Sequence, residues 1–117
     1  MAARLCQARD LRGLSQRDVG VRMGLDKDTA SARISRYESG AMSISLESLF
    51  EMAKALEVPP AYLLASSASM ADAVLALGEQ SDFQQEELVR ALQALAPLSS
   101  QARNALIQEI AAKHSST

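Results

Sequence analysis

The chain has 117 residues, 48% of them hydrophobic, only 3% aromatic, and a formal net charge of −2. That length suits one compact domain, or a small domain with an appendage, and the apolar content argues against wholesale disorder. No run of about 18 apolar residues is present to span a bilayer, and the N-terminus lacks the apolar core of a signal peptide, so a cytoplasmic protein is expected. The only cysteine, Cys6, has no partner for an internal disulfide and reads as a small apolar helix residue.

The net charge hides an asymmetry. Residues 1–40 carry Arg4, Arg9, Arg12, Arg17, Arg22, Lys27, Arg33 and Arg36 against five acids, a balance of +3, and the remainder balances to −5. A basic front and an acidic back suit a surface that meets a polyanion on one side only.

In chain order, Leu5, Ala8 and Leu11 recur at helical spacing and predict a first helix over about residues 2–11, ended by Gly13. Ser15 reads as the N-cap of a second helix, Gln16 to Met23, with Asp18 in its positive first turn and Val19 and Met23 buried. Gly20 inside that helix costs about 1 kcal/mol against alanine. It is tolerable where another backbone comes close. Gly24 breaks the helix, Leu25 plugs the core beneath the turn, and Asp26 or Asp28 caps the next helix. This third helix, Asp28 to Glu38, buries Ala30, Ile34 and Tyr37 at i, i+4 and i+7. Its outer side carries Thr29, Ala32, Arg33 and Arg36, small enough for a duplex to approach.

Gly40 ends the third helix. Ser45 caps a fourth, Leu46 to Leu56, with Leu46, Leu49, Phe50, Ala53 and Leu56 as its apolar face. Pro60 opens a short fifth helix ending near Leu64. The serine-rich stretch Ser66 to Ser69 reads as a boundary between residues 1–66 and a helical extension over 67–117. In the extension, Met70 to Leu77 is stopped by Gly78. Helices over Asp82–Ala96 and Ser99–Lys113 then make a hairpin about Pro97. So small a hairpin needs the first domain or a second copy to pack against.

Four pieces stand in a particular order: Gly-Leu-Ser-Gln-Arg-Asp-Val-Gly (Gly13 to Gly20), Met-Gly-Leu (Met23 to Leu25), Ile-Ser-Arg-Tyr-Glu-Ser-Gly (Ile34 to Gly40) and the run Leu46 to Val58. Together they resemble the lambda-repressor/Cro-type, or XRE-like, helix-turn-helix family over about half the chain. The resemblance implies an all-α, five-helix DNA-binding domain, followed here by a C-terminal helical hairpin. It also implies a commonly dimeric transcriptional regulator of prokaryotic or phage type. Family members place the isoleucine about six residues after the turn glycine, whereas Gly24 and Ile34 stand ten apart, an excess of about one helical turn. The expected place for the excess is the N-terminal end of helix three or the turn before it.

Anchored on Ile34, the family's base-facing positions fall on Ser31, Ala32 and Arg36. The outer-face pattern adds Thr29 and Arg33 as base contacts and Lys27 as a phosphate contact. Arginine donates two hydrogen bonds to guanine O6 and N7, which makes Arg33 and Arg36 the first candidates, with a phosphate as the alternative partner of either, and Thr29 or Ala32 offers a methyl to thymine. Gln16 resembles the family glutamine that grips the DNA backbone, with Arg17 and Ser43 as phosphate neighbours. Glu38 is expected to make a structural ion pair or hydrogen bond.

Leu88, Leu92, Leu95, Leu106, Ile107 and Ile110 are the dimerisation candidates. The serine clusters lack an accompanying His/Asp constellation, and neither a phosphate-binding loop nor a metal-ligand cluster occurs, so no enzyme activity, cofactor or metal is expected. The leading expectation is a regulator, a repressor, that binds a pseudo-palindromic duplex as a homodimer. The alternative is an antitoxin or adaptor whose C-terminal helices hold a protein partner.

Overall fold

A computed structural model describes residues 1–115, and every regular element among them is helical. The order is α1 (Ala2–Arg12), α2 (Gln16–Arg22), α3 (Lys27–Ser39), α4 (Leu46–Leu56), α5 (Pro60–Leu64), α6 (Ala68–Gly78), α7 (Asp82–Leu95) and α8 (Ser100–Ser115). No helix among the described residues is long and apolar enough to cross a membrane. The chain divides into two compact units, Met1–Glu79 and the segment from Gln80 onward.

In the first unit, local chemistry sets most helix ends. Ser15 accepts from the Asp18 amide while the Asp18 carboxylate accepts from the Ser15 amide, a reciprocal cap on α2. The Asp26 carboxylate accepts from the Asp28 amide at 3.0 Å and caps α3, so of the two candidate acids Asp26 does the capping. Ser45 and Ser67 cap α4 and α6. Gly13 and Gly40 end α1 and α3 in the left-handed region.

The core joins Leu5, Ala8, Val19, Ile34, Tyr37, Leu49, Met52, Leu56, Tyr62, Leu63 and Ala71, with Leu14, Met23, Met42, Ile44, Val74 and Leu75 packed around it. Ala71 belongs to α6, so that helix closes the first unit, past the serine-rich boundary drawn at residues 66/67. Three side chains expected in the core stay outside. Leu11 is 52% exposed, Leu46 67% and Phe50 54%. Each lies at the edge of its helix's apolar stripe, where the buried neighbours on the same helix take the available core positions. α6 ends at Gly78, one residue later than expected and without the left-handed glycine that closes α1 and α3. Gly78 passes directly over Pro59, where a β-carbon would stand 2.6 Å from the proline Cγ.

In the second unit, Ser81 and Gln84 form a reciprocal cap on α7, and the Ser99 hydroxyl accepts from the Ala102 amide at the start of α8. Neither α7 nor α8 contains a buried residue.

Candidate nucleic-acid interface

Two helices and a tight turn build the site. Met23 and Gly24 close α2, the turn is short, and Asp26 starts α3 two residues after the glycine. The turn therefore has no room for the extra residues, which lie within the 13-residue α3 itself. Gly20 fixes the register between the helices. A β-carbon there would sit 2.5 Å from the Ala30 Cβ and 2.9 Å from its Cα. Ala30 thus occupies a buried position six residues after the turn glycine, and Ile34 follows one turn later. Of the two places expected for the excess, α3 rather than the turn before it takes the extra residues.

Ala30, Ile34 and Tyr37 are buried as expected, which determines what the rest of α3 shows to solvent. Asp28, Ala32, Ser35 and Ser39, at i, i+4, i+7 and i+11, form the line opposite the buried stripe. Ser31 and Glu38 lie on the flank beside α2. Thr29, Arg33 and Arg36 line the other flank, since residues two apart on a helix diverge by about 200°. Ser31 and Arg33 therefore face opposite sides of α3.

A polar junction ties the α2 flank together. The Arg9 guanidinium donates twice to Glu38, Nε to Oε2 at 3.1 Å and a terminal nitrogen to Oε1 at 3.2 Å. Glu38 Oε1 also accepts from Gln16 Nε2 at 3.3 Å, and Gln16 Oε1 accepts from the Ser31 hydroxyl at 3.3 Å. The Glu38 carboxylate holds Arg9 above its ordinary pKa, chiefly through the hydrogen bond, against the opposing effect of burial. Of the site candidates, Gln16 and Ser31 are thus brought into direct contact. Thr29 is exposed and its hydroxyl donates back to the Asp26 carbonyl at 3.3 Å, leaving the methyl for other contacts. Ala32 is exposed, and Ser43 is exposed on the α3–α4 loop.

The basic residues separate into two groups. Arg9 is bound to Glu38 and to the Leu14 carbonyl. Arg12 donates to the Leu56 and Glu57 carbonyls, and Arg22 to the Ala55 carbonyl, so both hold the C-terminal end of α4. Arg4 bonds Gln7 within α1. By contrast Arg17, Lys27, Arg33 and Arg36 are exposed, with neither an ion pair nor a side-chain hydrogen bond to another described residue. The roles of Arg12 and Arg22 escaped the sequence reading. Their partners lie 44 or more and 33 residues away, and no local signal announces them.

In the second unit, Leu88, Leu92, Leu106, Ile107 and Ile110 are all exposed, and Leu95 is half-buried. Phe83, Val89 and Leu98 add to the uncovered apolar surface. Among the described residues no group of three or more His, Cys, Asp or Glu is arranged to hold a metal ion.

Residues 7–63 match the family model described as helix-turn-helix. The crystal structure of the transcriptional regulator BswR is similar, with a TM-score of 0.74 and 29% sequence identity over 88% of this chain and 98% of that one. No curated protein matches the sequence. Residues 7–63, through the α2–turn–α3 geometry that they adopt, form an XRE-type helix-turn-helix domain.

Proposed function

We propose that the protein is a sequence-specific, double-stranded-DNA-binding transcriptional regulator, a repressor that binds a pseudo-palindromic operator as a homodimer. The observation that carries this reading is the sorting of cations. Those that face the core or the end of α4 are used internally, and Arg17, Lys27, Arg33 and Arg36 remain uncommitted around α2 and α3. A surface that meets phosphates keeps its cations free in this way. The helix-turn-helix match over residues 7–63 and the similarity to a transcriptional regulator support the same reading.

On this reading α3 enters the major groove. Gln16, Arg17, Lys27 and Ser43 hold phosphates on either side and so fix the register. Arg36 donates to guanine O6 and N7, Ala32 lies closest to the groove floor, and Thr29 offers its methyl to thymine. Arg33, on the flank away from Gln16, reads a base farther along or holds the opposite backbone. Ser31 acts through its hydrogen bond to Gln16 and links the phosphate grip to the reading helix.

The uncovered apolar faces of α7 and α8 support dimerisation through the second unit, because a two-helix hairpin with no buried residue has little to stabilise it alone. Two-fold symmetry would set the paired α3 helices roughly 34 Å apart, one duplex turn. The same faces also suit the adaptor reading, in which a different protein covers them. Sedimentation of the purified full chain separates the two: a self-associated dimer supports the first, and a monomer that pairs only with a protein co-purified from its host supports the second.

The test of DNA reading is an electrophoretic shift on the protein's own promoter region, at several salt concentrations and against competitor DNA. A retained complex that competitor does not displace, and that weakens as salt rises, is the expected result. Equal displacement by any duplex would remove the claim of specific readout.

A further inference from the structure

The four acids of α2 and α3 and their caps are not equivalent. Asp18 closes the cap of α2, Asp26 caps α3, and Glu38 is bound by Arg9 and Gln16. Asp28 is different. Its amide is the one that Asp26 captures, its carboxylate makes no hydrogen bond or ion pair with another described residue, and it is exposed. It lies in the N-terminal turn of α3, on the line opposite the buried stripe, one turn before Ala32. On the proposed DNA-reading role of α3, on which this inference rests, that line faces the floor of the major groove.

An unpaired carboxylate in that position is repelled by the phosphates of the duplex unless it meets a hydrogen-bond donor. The only donors that a base pair offers in the major groove are the amino groups of cytosine and adenine. A carboxylate, which accepts but does not donate, matches cytosine N4, whereas adenine presents its donor beside an acceptor at N7. Asp is also short. It reaches a base edge only where the helix comes close, and the next residue on the line, Ala32, carries a single methyl that permits close approach. We propose that Asp28 is a specificity-determining residue that accepts a hydrogen bond from a cytosine amino group in each operator half-site.

The test is selection of duplexes from a randomised pool by the full chain and by its Asp28→Ala and Asp28→Asn variants. The wild type is expected to enrich a cytosine at one position of each half-site. Asp28→Ala should lose the preference at that position alone, with affinity for the enriched duplex lowered about 5- to 100-fold. Asp28→Asn keeps the volume and adds a donor, so the preferred base there should move from cytosine to adenine. An unchanged consensus in both variants would overturn the assignment while leaving DNA reading intact. So would tighter binding of Asp28→Ala to every duplex by one common factor, which would make Asp28 a repulsive charge only. Failure of the wild type to enrich any consensus would overturn the DNA-reading role of α3, and this inference with it.

Discussion

Gly20 and Ala30 are in contact across the α2–α3 crossing so closely that a β-carbon on Gly20 would overlap the Ala30 side chain at 2.5 Å. The obstruction includes backbone, with the Ala30 Cα at 2.9 Å and its carbonyl oxygen at 3.1 Å, so a rotamer change offers no relief. Gly20→Ala gains about 1 kcal/mol of helix propensity. It must also push the helices apart, and overpacking of this kind typically costs about 1–3 kcal/mol. The expected result is net destabilisation, with thermal melting lowered by several degrees and DNA binding weakened because α3 is displaced. The double variant Gly20→Ala/Ala30→Gly should recover part of the loss in the same melt, since it removes the nearest atom.

Two classes of arginine should behave oppositely. Arg12→Ala removes hydrogen bonds to two carbonyls at the end of α4 and is expected to cost about 1–2 kcal/mol in denaturant unfolding. Its effect on DNA affinity should be no larger than the loss of folded protein explains. Arg36→Ala should leave unfolding unchanged within about 0.5 kcal/mol, as for an exposed side chain without partners. It should lower affinity for the preferred duplex by about 1–3 kcal/mol. A uniform loss on all duplexes would make Arg36 a phosphate contact instead.

Glu57 ends α4 in the left-handed region at φ 54°, the only non-glycine residue with positive φ among those described. The carbonyls around it are the ones that Arg12 and Arg22 hold. A side chain in that conformation is strained, so Glu57→Gly is expected to raise stability by about 0.5–1 kcal/mol in equilibrium unfolding. A loss of stability would show that the glutamate makes a compensating interaction.

The helix ends and the buried stripe of α3 were legible in the sequence because they are local. Ser15 and Ser45 each cap a helix through an amide three residues on, and Ala30, Ile34 and Tyr37 need only the helical period. The candidate surface was legible in part. All its residues are exposed except Gln16, which is half-buried among Glu38 and Ser31. What stayed hidden depends on distant partners. The basic front looked uniform until Arg9, Arg12 and Arg22 met Glu38, the Leu56 and Glu57 carbonyls and the Ala55 carbonyl. Leu11, Leu46 and Phe50 fit their helices' apolar periods, but a period does not say how much of a stripe the neighbouring helices cover. The end of α6 at Gly78 was legible, but the clearance that this glycine gives Pro59 was not, because the contact joins distant segments.

The Asp18 carboxylate is held below its ordinary pKa of 3.8, first by the Ser15 amide, then by the Ser15 hydroxyl, with Arg22 and Arg17 assisting. A depressed folded-state pKa contributes stability that is fully present above the unfolded value and is lost as pH falls through the folded one. Wild-type stability should therefore fall more steeply than that of Asp18→Asn below about pH 4, and the two should run parallel above about pH 6. Urea midpoints across that range provide the check.

Leu92→Glu places a charge in the uncovered apolar face of α7. The expected outcome is a monomer by sedimentation, with the melt of the first unit unchanged and affinity for a two-half-site duplex reduced to that for a single half-site. A dimer that persists in this variant and in Ile107→Glu would place the self-association elsewhere.

Whether α3 reads base sequence is tested most directly by titrating the full chain, at one fixed salt concentration, with two duplexes. One is enriched from a random pool, and the other is a scrambled duplex of the same length and composition. A base-reading α3 predicts a preference of about 1,000-fold or more for the enriched duplex, narrowed in Arg36→Ala. Equal affinity of the wild-type protein for the two duplexes would contradict it.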